Sequence, residues 1–283
     1  MVKDILSYTP SREELTHVGA VLPIWKNKGE STHQIAVQVA QKWQVKCAHT
    51  GILDPLAEGV IVLLLGQARF DRAYYTQLKK YYRTEVCLGL HTDSLDLLGL
   101  MSPPQTINHY PLEKLHELLS QSKDQYIGDV QQVPPYISSV KIDGKRSQYW
   151  VKHHNKAKKL QARTVHISQL ELIKVQSMPY QSIRDKAYEE IPITQGVLRQ
   201  EQCLLSWQAH HSLYSDDHLL SGFVFDATVG SGCYIRSIAR DWLSSCGINH
   251  GIVTQLTRLG NAGFTYDDCG RMFAPRAHPN DLK

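Results

Sequence analysis

The chain has 283 residues, enough for one large domain or two small ones, with a core that needs no disulfide or metal staple. Its 42% hydrophobic and 20% charged residues are ordinary globular usage, which excludes wholesale disorder and collagen-like structure. Lys and Arg number 31 against 27 Asp and Glu, a formal net charge of +4 that permits a polyanionic partner without demanding one.

The longest aliphatic run, Val60–Leu65, is too short to cross a bilayer, and Met1-Val2-Lys3-Asp4 opens no signal peptide. The expected address is the cytoplasm, with no membrane partner. Cys47, Cys87, Cys203, Cys233, Cys246 and Cys269 include no CxxC pair and are expected to be reduced and mostly buried. No spacing suits a metal site. The adjacent pairs His153-His154 and His210-His211 project differently and read as solvated surface.

In chain order, Ser31-x-x-Gln34 predicts a capping box, followed by a helix with Ile35, Val39 and Trp43 on one stripe. Val60–Leu65, ending at Gly66, predicts a buried strand. Alternation of Tyr82, Thr84, Val86, Leu88 and Leu90 predicts a second. Met101-Ser-Pro-Pro104 reads as a turn, and Pro111 opens a helix with Leu112, Leu115, Leu118 and Leu119 inward. Val133-Pro134-Pro135 must be extended. Strands are expected over 165–175 and from Phe223 through Phe225 and Ala227 to Val229. Gly230-Ser-Gly232 then turns the chain into a helix striped by Ile235, Ile238, Ala239, Trp242 and Leu243 and closed by Gly247. Residues 176–221 have no clean period and read as an inserted, partly irregular surface excursion. The pattern predicts a mixed α/β (α+β) fold with a large, mainly antiparallel central sheet flanked by helices.

Asp54 stands in a tight loop bounded by Gly51, Pro55 and Gly59, between apolar neighbours. The dipeptide leaves two readings open: a turn or capping aspartate, and a carboxylate nucleophile or general base. His49 in the same segment reads equally as a loop histidine bonded to backbone. Arg236 lies in a helical first turn, where a cation opposes the helix dipole and favours a specific anionic partner. Lys79-Lys80-Tyr81-Tyr82-Arg83 interleaves cations and rings. That suits RNA, and it suits a strand start with one buried tyrosine just as well.

Six blocks in order resemble the TruB family of tRNA pseudouridine synthases. Residues 48–59 are similar to the family's G-H-x-G-x-L-D-P-x-A-x-G, with Ala48 in place of the first glycine. Leu65-Gly66-Gln67-Ala68-Arg69-Phe70 resembles L-G-x-A-T-K-F, and Lys80-Tyr81-Tyr82-Arg83 follows. Gly89 to Gly99, through Thr92-Asp93-Ser94 and Asp96, is similar to G-x-x-T-D-T-x-D-x-x-G. Residues 132–146 resemble the Q-x-P-P…G-K-R block, with Ile137 where the family has tyrosine. Residues 232–239 resemble G-T-Y-I-R-x-L-A. Of the late R-R-T-R-x-G-x-F motif, Arg258 and Phe264 remain.

The resemblance implies a pseudouridine synthase fold and isomerisation of uridine 55 in the T-loop of tRNA, without cofactor or metal. Asp54 would be the nucleophile acting on a flipped-out uridine. Tyr82 would stack on the base and Arg236 would pair with Asp54. Tyr234 and Leu256 would line the uracil pocket, His49 would fill the gap left in the RNA, and Lys26 would support the pocket or backbone. It implies one catalytic domain over 1–270 with an insertion at about 176–221, a short 271–283 tail without a PUA domain, and the tRNA T-stem-loop as partner; a monomer is expected because the sequence leaves no obvious surplus apolar face. The alternatives are a guide-dependent rRNA relative, a non-catalytic RNA-binding or RNA-folding protein on the same scaffold, and a hydrolase using Asp54.

Overall fold

The apolar run starting at Val60 becomes a strand that is buried along its whole length, and the rest of the first unit is laid against it. The computed structural model describes residues 10–102, 110–146, 160–196 and 198–274. Its strands are β1 (Ala20–Lys26), β2 (Cys47–His49), β3 (Glu58–Leu65), β4 (Lys80–Leu88), β5 (His91–Thr92), β6 (Met101–Ser102) and β7 (Gly128–Gln132). They continue with β8 (Lys141–Ile142), β9 (Lys145–Arg146), β10 (Arg163–Pro179), β11 (Leu219–Val229), β12 (Gly251–Asn261) and β13 (Phe264–Thr265). The helices are α1 (Arg12–His17), α2 (Thr32–Trp43), α3 (Arg72–Gln77), α4 (Leu112–Ser122), α5 (Tyr180–Glu190), α6 (Gln200–Ala209) and α7 (Ile235–Ser245).

The chain divides into two compact units, Met1–Tyr82 with Thr257–Lys283, and Arg83–Leu256. Both boundaries fall inside strands, β4 and β12, where no loop or change of composition marks them. In the first unit β3 pairs antiparallel with β1, Lys26 opposite Gly59, and with β2, His49 opposite Leu63. It also runs parallel to β12, Arg258 opposite Gly59, and β13 folds back on β12. Val21, Val60, Val62, Leu64, Tyr75 and Phe264 form the core there. α2 opens where expected, with the serine half of the capping box formed: Ser31 Oγ accepts from Gln34 N at 3.4 Å. Its stripe fades along its length: Ile35 is buried, whereas Val39 and Trp43 are half-exposed.

In the second unit the ladder runs β12–β4–β11–β10–β7, so that with β1, β2, β3 and β13 the sheet has nine strands. The long β10 pairs antiparallel with β11 through two register shifts, and with β7 on its other edge. α4 and α7 pack here. Trp242 meets the rings of Phe223 and Phe225 edge-on and donates from Nε1 to Ser122 Oγ at 3.0 Å. The architecture is the expected mixed α/β fold, its recorded ladders antiparallel except for β3 against β12.

Several local expectations change. β4 starts at Lys80 and stops at Leu88, two residues early, because Gly89 turns with φ +83°. Met101 and Ser102 form a strand, and Pro103-Pro104, like His153-His154, lie outside the described residues. Only Cys87 and Cys203 are buried; the other four thiols are half-exposed, and all six are free. His211 is exposed as expected, and His210 Nδ1 lies 2.8 Å from Ser206 O. Residues 176–221 are more regular than expected: they complete β10, fold into α5 and α6 and begin β11, with turns left over 191–196 and 210–218. Tyr180, Ala187, Cys203 and Trp207 are fully buried among them. The alternation of Lys79 to Arg83 proves to be a strand start. Lys80 turns inward and caps α3 through Thr76 O and Leu78 O, while Arg83 pairs bidentately with Asp226.

Among the described residues, no helix is long and apolar enough to cross a membrane. No group of three or more potential metal-ligating side chains occurs among them either.

Gly59 sits at φ +127° where β3 meets β12, and an added Cβ would lie 2.3 Å from Arg258 O. Gly59→Ala should therefore destabilise the protein by at least about 2 kcal/mol in urea unfolding, through left-handed strain plus backbone collision.

Candidate active site

The loop between β2 and β3 is tied to its surroundings through several of its backbone groups. Thr50 N donates to Val62 O at 3.1 Å. Leu53 N donates to Thr32 Oγ1 at 3.3 Å, so the first residue of α2 pins the chain just before Asp54. Ala57 N closes a turn on Asp54 O at 3.1 Å, and Gly29 N donates to Pro55 O at 2.9 Å. Leu53, Leu56 and Ala57 point into the core, leaving Asp54 half-exposed between them.

Beneath this loop lies Lys26, 0% exposed at the end of β1. Its ammonium donates to Ala57 O at 2.6 Å, Pro55 O at 3.1 Å and Asn27 O at 3.1 Å. Burial pulls its pKa down to about 8. The carboxylates of Asp54, Glu30 and Glu58 act against that fall, and the Arg258 guanidinium acts with it. Lys26 therefore supports the Asp54 loop through its carbonyls.

Arg258, on β12, is 1% exposed and sits in the same unit. Nε donates to Val60 O at 2.7 Å, and Nη1 donates to the Tyr82 hydroxyl at 3.3 Å while the guanidinium lies 5.9 Å from the centre of that ring. Its Nη2 is buried without a hydrogen-bond partner among the described residues. Tyr82 is 7% exposed, so its ring is held rather than free to swing. Burial, with Arg258 adding to it, also lowers the Lys80 pKa to about 8. His49, half-exposed on β2, lines an open cavity with His33, Val37, Cys47 and Arg72.

In the second unit, Arg236 occupies the first full turn of α7 with its guanidinium buried. Nη1 donates to Ser94 O at 2.5 Å and stands 3.4 Å from Asp96 Oδ2, and Nη2 donates to Ile137 O at 3.2 Å. Asp96 is itself held, its Oδ1 accepting from Ser94 Oγ at 2.6 Å and Leu98 N at 3.0 Å. Tyr234 is the N-cap residue of α7. Gln132 grips its backbone at both ends, Tyr234 N donating to Oε1 at 2.8 Å and Nε2 donating to Tyr234 O at 3.1 Å. The Tyr234 hydroxyl lies 3.3 Å from Ser139 Oγ, and Arg163 stands 5.1 Å from its ring centre. Leu256 is buried on β12.

The structure thus groups Lys26 with the Asp54 loop, and Tyr82 with Arg258, in the first unit. It groups Arg236 and Tyr234 with the 94–98 and 132–139 segments in the second. Asp54 and Arg236 belong to different units, and the ion-pair partner Arg236 has in its own unit is Asp96. Asp96, Gln132, Arg72 and His33 received no role from the sequence. Asp96 and Gln132 lie inside recognisable blocks, which was the available signal; nothing local singles out Arg72 or His33. Arg258 is not an RNA-facing arginine, because β12 turns it inward onto Tyr82.

The family description "TruB family pseudouridylate synthase (N terminal domain)" matches residues 38–189. The tRNA pseudouridine synthase B of Oceanobacillus iheyensis is 33% identical over 156 residues, 55% of this chain and 50% of that protein. That of Ligilactobacillus salivarius is 26% identical over 246 residues, covering 86% of this chain and 68% of the relative. The chain spans about half the length of its more identical curated relatives. The solved structure of a Cbf5-Nop10-Gar1 complex shares the fold with a TM-score of 0.53 at 16% identity, over 93% of this chain and 56% of that one.

The Lys26 amine has its own pH signature. Its folded pKa of about 8 lies below the ordinary lysine value of 10.5, so between those values the unfolded chain binds more protons and stability rises with pH. Lys26→Met lacks this contribution. The stability of the wild type relative to the variant should therefore grow by on the order of 3 kcal/mol from pH 8 to 10.5, read by urea unfolding across that window. A pH-independent difference would contradict a buried, partly deprotonated amine.

Proposed function

Because the chain belongs to the TruB family of pseudouridylate synthases, we propose that it isomerises uridine 55 in the T-loop of tRNA to pseudouridine, with Asp54 as the nucleophile. The observation that carries this reading is the complete segment from His49 to Gly59, with a half-exposed carboxylate on a loop whose backbone is tied down by Lys26 and Thr32. A nucleophile that must meet one carbon of an extruded nucleotide gains from such pre-set geometry.

In the reaction the bond between C1′ and N1 breaks, the uracil turns, and a bond forms between C1′ and C5. The C5 proton leaves and N1 takes one up, so atoms balance without redox change or group donor. Asp54 adds to C6 or captures C1′ while the base is detached. Tyr82 stacks on the flipped base and assists removal of the C5 proton; the grip of Arg258 on its hydroxyl supports a fixed ring. Arg236 acts as the cationic partner of Asp54 in the RNA complex. Tyr234 and Leu256 line the uracil pocket, and His49 enters the gap in the RNA. The imidazole of His33 and the guanidinium of Arg72 beside it suit a phosphate backbone. We assign residues 1–270 to catalysis, the 176–221 segment to an insertion and 271–283 to a tail, and we read the protein as a cytoplasmic monomer that takes the T-stem-loop.

Asp54→Asn should abolish pseudouridine formation on a T-stem-loop transcript, by mass-spectrometric mapping, while RNA affinity stays within about threefold. Turnover near the wild-type rate would overturn the assignment. RNA affinity should also fall steeply with salt, because phosphate contacts release counterions; a flat salt response in a binding titration would exclude the proposed RNA surface.

A further inference from the structure

The helix pair α5 and α6 has no part in that chemistry, yet α6 and the residue capping it hold one particular loop. Arg199 Nη1 donates to Asp93 Oδ2 at 2.9 Å and Nη2 to Oδ1 at 3.2 Å, a bidentate pair with the guanidinium 12% exposed. Trp207 Nε1 donates to Leu97 O at 3.1 Å, Ser206 Oγ to Met101 O at 3.0 Å, and Cys203 Sγ to Leu98 O at 3.6 Å. The contacts are spread along 93–101, and each ties a side chain from the helical segment to the loop.

That loop is the one that holds Arg236. Ser94 O and Asp96 Oδ2 face the guanidinium, and Asp93, gripped by Arg199, immediately precedes Ser94. Within the loop, Asp93 Oδ1 accepts from Leu100 N at 2.9 Å, and Thr92 Oγ1 donates to Asp96 O at 2.7 Å. Gly99 packs so closely that a Cβ there would lie 2.4 Å from Ser94 Oγ. A shift at Asp93 therefore has little slack to absorb it before reaching Ser94 and Asp96. The backbone adds a second, independent sign: Arg199 is held at φ +64°, a left-handed conformation unfavourable for arginine. Strain of that kind persists where the side chain is needed in one place.

We propose that α6 and its capping residue form a buttress: Arg199, acting through Asp93, and Trp207, acting through Leu97, fix the 92–101 loop so that Ser94 O and Asp96 hold Arg236 in its working orientation. Both are positioning residues, and the inference rests on the reading above in which Arg236 serves the isomerisation. A segment that serves only to fill the core predicts a general loss of stability, with no special coupling to Arg236. A buttress predicts a loss that travels through that one arginine.

The test is the single-turnover rate of pseudouridine formation on a T-stem-loop for Arg199→Met, measured in the wild-type and Arg236→Lys backgrounds, with hydrogen exchange of the 92–101 amides. Arg199→Met should slow the wild type by at least about tenfold, with RNA affinity changed less than about twofold. In the Arg236→Lys background it should add less than about twofold. Exchange should quicken across 92–101 and stay unchanged in α4 and α7. An unaltered rate, an equal slowing in both backgrounds, or exchange that is unaltered or quickened throughout the unit would overturn the inference. If Arg199→Met does not fold, Asp93→Asn, which keeps the shape and removes the charge, carries the same expectations. Should the wild type form no pseudouridine, the functional reading fails, and the exchange measurement alone decides whether the segment buttresses the loop.

Discussion

A buried ammonium is the constraint on which the first unit depends. Lys26 could not be carried to the end of β1 and sealed from water unless its protons found acceptors, since an uncompensated charge there would cost several kcal/mol. The acceptors are the carbonyls of Pro55 and Ala57, so satisfying the lysine and fixing the Asp54 loop are one event. The loop in turn has no regular structure of its own to hold its shape. Clamping the backbone around Asp54 leaves that residue half-exposed while denying the loop freedom to wander.

The neighbouring cations follow the same logic. Arg258 is buried within electrostatic reach of both Lys26 and Lys80, and like charges in a low-dielectric region disfavour one another, so burial first and Arg258 second lower both lysines. The arrangement is tolerable because each cation is spread over carbonyl oxygens: Val60 O for Arg258, Thr76 O and Leu78 O for Lys80. Nη1 of Arg258 then donates to the Tyr82 hydroxyl, tying a ring on β4 to β12. The result is a cluster of buried cations beneath the Asp54 loop.

In the second unit the same device appears with the signs rearranged. Arg236 is neutralised by Asp96 and by two carbonyls, and the turn that delivers it is set by one glutamine side chain bonded to both backbone groups of Tyr234. An arginine suits this position better than a lysine would. Its planar fork addresses Ser94, Asp96 and Ile137 at once, where a point charge would have to choose among them. The 94–98 segment can present those acceptors because short side-chain bonds, Ser94 to Asp96 above all, fold it back on itself.

Much of this was legible in the amino-acid order, for local reasons. The buried β3, the period-2 face of β4, the serine-capped start of α2, the proline before α4 and the stripe of α7 depend on spacing and turn chemistry that act within a few residues. The mixed sheet follows from such elements taken together. The blocks from His49 to Gly59 and from Gly232 to Ala239 marked the segments on which the proposed site stands. What only the tertiary structure decided was partnership across long separations. Nothing near Arg236 names Asp96, 140 positions earlier, as its ion pair, and nothing near Tyr82 names Arg258. The helices of 176–221 were hidden because the inward residues of α6, Cys203 and Trp207, share their helix with an exposed Leu205, so the apolar face blurs. Local pattern records which residues turn inward; which ones then meet is set by the sheet, whose strands join positions as far apart as Gly59 and Arg258.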